Sequence, residues 1–223
     1  MNLRRRMLLA TGVSTKPNPD VPVPESKYGA YIQDTTGKLW SAEEWDGTAT
    51  PNGIAVRDKE YGPSDGILLA INPSTSVFYF NTKSISMQTT PSNLIYADYS
   101  GYSRTVSLLE AVGYSYLPAI NECVNYIFPD GQKGYLGAFG EMVLIHYCRE
   151  EINRCLSALG GASDDLFSNK IWTCTASEEH TTSSSLYIYS FKPSDLSITL
   201  ALGGFLNTRN RVWPIGKVGD WDK

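Results

Sequence analysis

A chain of 223 residues with a formal net charge of −4 is long enough to bury a real core and lacks the clustered cationic face that a general nucleic-acid binder needs. No apolar run approaches the roughly twenty residues that span a bilayer, so membrane insertion is not expected. Fourteen tyrosines and five tryptophans against seven phenylalanines favour amphipathic rings, which suit half-exposed recognition surfaces as well as sheet cores.

The chain starts basic. Arg4, Arg5 and Arg6 precede the apolar run Met7 to Ala10, which is too short for the central segment of a secretory signal and reads as part of an assembly or anchoring arm. Pro17, Pro19, Pro22 and Pro24 then make Ser14 to Lys27 an extended linker. Residues 1–27 are expected to form a basic, proline-rich anchoring arm, and residues 28–223 one domain.

Within that domain the front half reads as strand and loop. Tyr28 to Ile32 and Lys38 to Trp40 are strand candidates joined by the turn Asp34-Thr-Thr-Gly37; Gly53 to Arg57, Ile67 to Ile71 and Val77 to Phe80 add others. Ser103 is placed to cap a helix that runs to Val112, carries Val106, Leu109 and Val112 at helical spacing, and stops at Gly113. Pro118 to Tyr126 opens a second helix with Ile120, Cys123, Val124 and Ile127 along one side. A longer third helix is expected from about Ala138 to Leu159, with the apolar stripe Met142, Ile145, Cys148, Ile152, Cys155, Leu156 and Leu159, ended by Gly160-Gly161. Strand candidates return at Ile171 to Cys174, Leu186 to Phe191, Ser197 to Leu202 and Arg209 to Ile215. Tyr187, Tyr189 and Phe191 alternate with Leu186, Ile188 and Ser190, so one face of that strand is aromatic. Strands, then helices, then strands imply an α+β domain.

Catalytic signatures are missing. Neither G-x-S-x-G nor the glycine-rich phosphate-cradling patterns occur, and Cys123, Cys148, Cys155 and Cys174 form no CxxC pair, so buried free thiols are expected. His146 reads as a structural histidine on the long helix. His180, in Glu178-Glu179-His180, reads as part of a solvated loop. Asp34, Asp58, Asp65, Asp98, Asp130, Asp164 and Asp165 sit by glycine, serine or proline, where turn chemistry accounts for them; calcium held by two or three of them is the one cofactor this pattern allows. The expectation is a protein that is not an enzyme.

Three segments in order carry a resemblance. Phe128-Pro-Asp-Gly-Gln-Lys-Gly-Tyr-Leu-Gly-Ala-Phe-Gly-Glu141, Ile171-Trp-Thr-Cys-Thr-Ala-Ser-Glu178 and Arg211-Val-Trp-Pro-Ile215 resemble the helix-leading, sheet and closing-strand motifs of the DUF1566 or Lcl C-terminal-like family. Gly53 to Val56, Ile67 to Ile71 and Ala97 to Tyr102 fit the same pattern upstream. That family is similar to the variable proteins of diversity-generating retroelements and to phage major tropism determinants. The resemblance implies a C-type-lectin-like fold whose C-terminal strands and loops form a binding face. Thr173-Cys174, Trp213 and the apolar Leu196 to Leu202 depart from the family pattern and point to a fixed rather than a diversified surface. The opening MNLRRRM also resembles the start of phage structural proteins of gut Bacteroidales. The related formylglycine-generating enzymes share the broad fold, but the scattered cysteines here do not match their active-site segment, and fold alone carries no activity.

The function this implies is host-surface recognition by a phage tail fibre or other virion appendage. The implied ligand is a surface glycan or protein, and the implied partners are other virion proteins, reached through the arm at Arg4, Arg5 and Arg6, in a homo-oligomer. The expected ligand-binding residues are Trp172, Tyr187, Tyr189, Phe191, Asn207 and Arg209, in a site that takes in the Ser177 to Ser185 loop and the span Asn207 to Asn210. A structural virion subunit and a bacterial cell-surface adhesin are the alternatives.

Overall fold

The computed structural model describes residues 28–58, 66–82, 85–161, 167–182, 185–202 and 208–218. The arm with Arg4, Arg5 and Arg6, together with Asn207, Asp65, Asp164 and Asp165, lies outside them.

Two sheets and four short α-helices make up the described chain, an α+β arrangement with mostly antiparallel pairing. The first sheet has six strands in the order β2 (Leu39–Trp40), β1 (Tyr28–Asp34), β3 (Pro51–Asp58), β4 (Ile67–Leu69), β10 (Pro214–Gly216) and β6 (Tyr135–Leu136). The second runs β5 (Thr89–Thr90), β7 (Ile171–Ser177), β8 (Tyr187–Lys192) and β9 (Ser197–Leu202), with β5 parallel to β7 and the other pairs antiparallel. The expected turn after β1 forms because the Asp34 carboxylate accepts the Thr36 N–H at 2.8 Å, the Lys38 N–H at 3.1 Å and the Trp40 indole N–H at 2.9 Å, while Gly37 takes φ +90°. Val77 to Phe80 makes only the bridge Phe78 to Asn210. In the expected strand Arg209 to Ile215, only the last part belongs to one, and Asn210 and Arg211 form single bridges instead.

The helices are α1 (Gly101–Val112), α2 (Pro118–Asn125), α3 (Phe139–Tyr147) and α4 (Arg149–Ala158). The single long helix expected over 138–159 is broken at Cys148, whose φ of −100° and ψ of 16° leave the helical range. Its halves meet different surroundings. Phe139 to Ile145 are all buried, since α3 packs on β3 of one sheet and β7 of the other; α4 buries only Ile152, Cys155 and Leu156 and turns Glu150 and Arg154 outward. A break lets each half follow its own packing direction. Ile127, expected on the buried side of α2, lies beyond its end and is 60 % exposed.

Helix α1 shows why its start was misplaced. It begins at Gly101, two residues before Ser103, and its most deeply buried residues are Arg104, Thr105 and Leu108, while Leu109 and Val112 of the expected stripe pack half-buried against the core beside them. No side chain of its own caps it. Instead Glu141, from α3, accepts the Gly101 N–H at 3.1 Å and the Ala138 N–H at 2.7 Å, so one carboxylate serves the first turns of two helices. The Tyr135 hydroxyl donates to its other oxygen at 3.1 Å. Burial pushes the Glu141 pKa up to about 7, against the lowering pull of these three donors.

Arg104 is buried because Asp98 is buried beside it, the two 3.1 Å apart. Asp98 also accepts the Thr175 hydroxyl of β7 at 2.7 Å and the Thr90 hydroxyl of β5 at 3.2 Å, and its backbone carbonyl accepts the Gly140 N–H at 2.9 Å. Gly140 permits that approach, since a Cβ there would stand 2.7 Å from the Asp98 carbonyl oxygen and 2.8 Å from that of Tyr96. Arg104 extends to the Ser100 hydroxyl and the Thr90 hydroxyl, both at 2.6 Å, and to the Gln88 carbonyl. The Thr175 hydroxyl in turn accepts the Phe139 N–H at 2.8 Å.

Two outcomes are expected. Folded Glu141 keeps its proton to about pH 7, whereas an unfolded glutamate releases it near 4.5, so the folded state binds the extra proton between those values and stability falls as pH rises through that window. Thermal melts should show that fall, on the order of 3 kcal/mol at most, and Glu141→Gln should flatten it. Arg104→Met, which strands Asp98 as a buried charge, should cost about 3–5 kcal/mol in urea unfolding, and adding Asp98→Asn should restore part of it.

Candidate functional site

The aromatic strand is where recognition was expected, and its alternation is real: Tyr189 and Phe191 lie on one side of β8 and Ile188 on the other. That aromatic side faces inward. Phe139 of α3 meets Tyr189 and Phe191 edge-on, with ring centroids 5.9 and 5.7 Å apart. Trp172 is likewise core, its ring 5.9 Å from Phe80 and its indole N–H donated to the Phe78 carbonyl at 2.8 Å. At β7 and β8 the second sheet is buried on both faces, by α3 on one and by α1 and α2 on the other, so these three rings offer no face to a ligand. Tyr187 alone of the four stays half-exposed, 6.2 Å from the His180 ring.

Arg209 is exposed, and its surroundings are polar. Its guanidinium lies 4.3 Å over the Tyr79 ring and donates to the Tyr79 hydroxyl. Beside it opens a groove of about 340 Å³ lined by four cations, Lys170, Lys192, Arg209 and Arg211, and by Asn169, Asn210, Ser168 and Val77. No aspartate or glutamate is among the described residues that line it.

Backbone pairing builds this groove. Segment 209–211 is stitched on one side to Phe78, by reciprocal bonds with Asn210 of 2.9 and 3.2 Å, and on the other to the start of β7, where Arg211 donates to the Lys170 carbonyl at 3.0 Å and Trp172 to the Arg211 carbonyl at 2.9 Å. Lys192 enters from the end of β8, its ammonium 3.5 Å from Asp195. Asn210 is only 6 % exposed, and its side-chain nitrogen has no hydrogen-bond partner. Tyr187 sits at the opposite end of β8 from Lys192, roughly 17 Å away at strand rise, so the fold separates Tyr187 from the groove that Arg209 lines.

Of the groove, the expected span Asn207 to Asn210 supplies Arg209 and Asn210. Lys170 and Lys192 fall at strand ends and Arg211 in a single bridge, and the signal for Arg211 was the basic run Arg209-Asn210-Arg211, which reads equally well as part of a closing strand.

The remaining reactive groups are held in structural roles. His146 meets the Pro193 carbonyl through Nδ1 at 2.7 Å. The Ser177 hydroxyl lies 3.0 Å from His180 Nδ1 and 3.2 Å from Glu179, but the serine is the shared centre, so the imidazole does not stand between hydroxyl and carboxylate as a base relay requires. Glu179 itself is held low, to about 2, chiefly by the Ser92 N–H. All four cysteines are free and buried; burial raises Cys123 and Cys174 well above the ordinary thiol range and Cys155 to about 12. Asp34, Asp98 and Asp130 are each taken up by separate hydrogen-bond networks, the last with Asn52 and Gln132. Among the described residues no group of three or more histidine, cysteine, aspartate or glutamate side chains is placed to hold a metal ion, and no described helix is long and apolar enough to cross a membrane.

No family model, no curated protein and no solved structure matches the chain.

Burial assigns opposite behaviour to two tyrosines that share one face of a strand. Tyr189→Ser should lower stability by about 3 kcal/mol through the cavity left against Phe139, while Tyr187→Ser should change it by less than about 1 kcal/mol; paired urea denaturation curves check both.

Proposed function

We propose that the chain is a non-enzymatic ligand-binding module of the C-type-lectin-like fold, carried on a tail fibre or other surface appendage of a bacteriophage, where it recognises the host surface. The observation that carries this reading is the open groove of cations and amides at the C-terminal strands, the part of the fold in which the resembled family builds its binding face. Two mostly antiparallel sheets packed around short helices agree with a lectin-like layout. Buried protonated thiols, a histidine bound to a backbone carbonyl and a serine without a relay support the non-enzymatic part. In this reading residues 1–27, with Arg4, Arg5 and Arg6, dock the domain onto other virion proteins in a homo-oligomeric appendage.

One observation favours a second reading, a structural virion subunit. Among the described strands β9 pairs on one side only, with β8, and its Ile198 is 39 % exposed. An unpaired strand edge of this kind accepts a neighbouring chain by strand addition.

The purified full chain should bind envelopes of at least one strain in a panel of gut Bacteroidales, read by sedimentation with the cells. Deleting residues 1–27 should leave that binding and the melting temperature unchanged and abolish incorporation into particles. Failure to bind any strain, with incorporation still dependent on the arm, transfers the weight to the structural subunit.

A further inference from the structure

We propose that β9 is a dimer interface: two copies of this chain meet edge to edge, antiparallel about a twofold axis, and join their second sheets into one sheet of eight strands, four from each copy. The inference goes beyond the proposed function. It names the neighbour of the open strand edge and stands whether or not the domain recognises a host.

The edges of the two described sheets are the first ground. Four strands stand at an edge: β2, β5 and β6, each two residues long, and β9, which has six. Shortness is itself a protection, since a two-residue strand offers almost nothing to pair with. The other protections are a charged side chain, a proline or a bulge. Ser197-Ile-Thr-Leu-Ala-Leu202 has none of them: it contains no charged residue and no proline, and its register with β8 runs unbroken from Lys192↔Ser197 to Tyr187↔Leu202. Away from β8 it pairs with no other strand among the described residues.

Burial is an independent second ground. Phe191 and Tyr189 of β8 are buried, yet the residues directly across from them on β9 are not: Ile198 is 39 % exposed and Leu200 is half-buried. On the other face Ser190 is fully buried, while its partner Thr199 is half-buried. Cover thins on both faces over residues 197–200, and a strand added beyond β9 extends the layer where it thins.

Charge and symmetry choose the occupant. The chain carries −4, so two copies repel one another unless they meet where charge is absent, and β9 is such a place. The nearest charges, Lys192 and Asp195, pair with each other at 3.5 Å. An acidic or basic peptide finds no opposite charge on this strand to select it, whereas an identical neutral strand needs none. A twofold perpendicular to the sheet keeps each face on its own side, so residues of the same face stand opposite one another. With Thr199 on the axis, it meets its own copy, and Ile198 meets Leu200 of the second copy. Pairing of this kind closes: both β9 edges are used, and the outer edge of the joined sheet is β5, too short to carry a further copy.

Sedimentation equilibrium of the full chain from about 1 to 300 µM covers the range expected of an interface below standard size, and the chain should pass from monomer to dimer across it. Ile198→Lys alters an exposed position and sets an ammonium against the second strand, so it should weaken dimerisation at least about tenfold while melting like the wild type at low concentration. Thr75→Lys, an equal charge change at an exposed position outside β9, should leave dimerisation intact. Thr199→Cys should give a disulfide-linked dimer on mild oxidation, because direct neighbours across a strand pair stand close enough for one, whereas Thr75→Cys should not. The four native thiols are buried and do not compete. A chain that stays monomeric to about 300 µM, an Ile198→Lys variant that dimerises like the wild type, or equal linking of the two cysteine variants overturns the proposal. So does loss of the dimer in the full chain carrying Leu8→Lys/Leu9→Lys, which assigns the contact to the N-terminal arm. If the chain dimerises through β9 but sediments with no envelope, host recognition falls and the interface stands. If it is monomeric yet sediments with envelopes, the interface falls and host recognition stands.

Discussion

Asp98 is buried, charged and shared by four elements, and much of the described fold is arranged around satisfying it. One cation and two threonine hydroxyls reach one oxygen of its carboxylate, from α1, β5 and β7, the Ser100 N–H and hydroxyl reach the other, and its backbone carbonyl holds the first turn of α3. A charge of this kind is tolerated in a protein interior only when every lone pair is used. The requirement reaches outward: Arg104 must point inward, so α1 turns a charged side into the core; Thr175 must lie on β7 beside Phe139; and residue 140 must be glycine. Glu141 completes the junction by serving two helix starts from one carboxylate, which places the N-terminal ends of α1 and α3 together between the sheets.

That junction explains how much could be read in advance. Elements whose burial is apolar and periodic were legible: β1 and its Asp34 turn, β3, β8, β9, the proline-led α2 and the glycine stops of α1 and α4 follow from local chemistry. Elements governed by the buried polar network were not. A side formed by Arg104 and Thr105 runs against the rule that helices bury apolar residues, and a cap supplied by Glu141, 40 positions away, leaves no mark near Gly101. Residues 138–159 carry an unbroken stripe, but the stripe cannot tell that the first half is enclosed on all sides and the second on one. Thr89–Thr90 is too short to stand out from its surroundings and becomes strand only through its parallel pairing with β7.

The site divides along the same line. Alternation on β8 was correct as a pattern and silent about which side of the sheet meets solvent, because both sides are covered. Rings that would suit sugar stacking are therefore spent on holding α3 in place. What remains at the surface of this sheet end is charge and amide, gathered from four separated stretches of sequence: Val77, 168–170, Lys192 and 209–211. Such a set is invisible to motif reading, since its members meet only after the backbone of 209–211 has been stitched between Phe78 and β7.

Strand β10 has a consequence for how the chain reaches this state. Pro214–Gly216 lies between β4 and β6, so the six-stranded sheet consists of two separate parts until a segment very late in the sequence is inserted. During synthesis β4, whose Ile67, Leu68 and Leu69 are all fully buried in the finished molecule, must wait with an open apolar edge for more than half the chain to emerge. Closing so long a loop is slow, and an open strand edge invites pairing with another nascent copy. Yield in a cell should therefore depend on how fast translation delivers the last strand, a kinetic vulnerability separate from the stability of the finished fold.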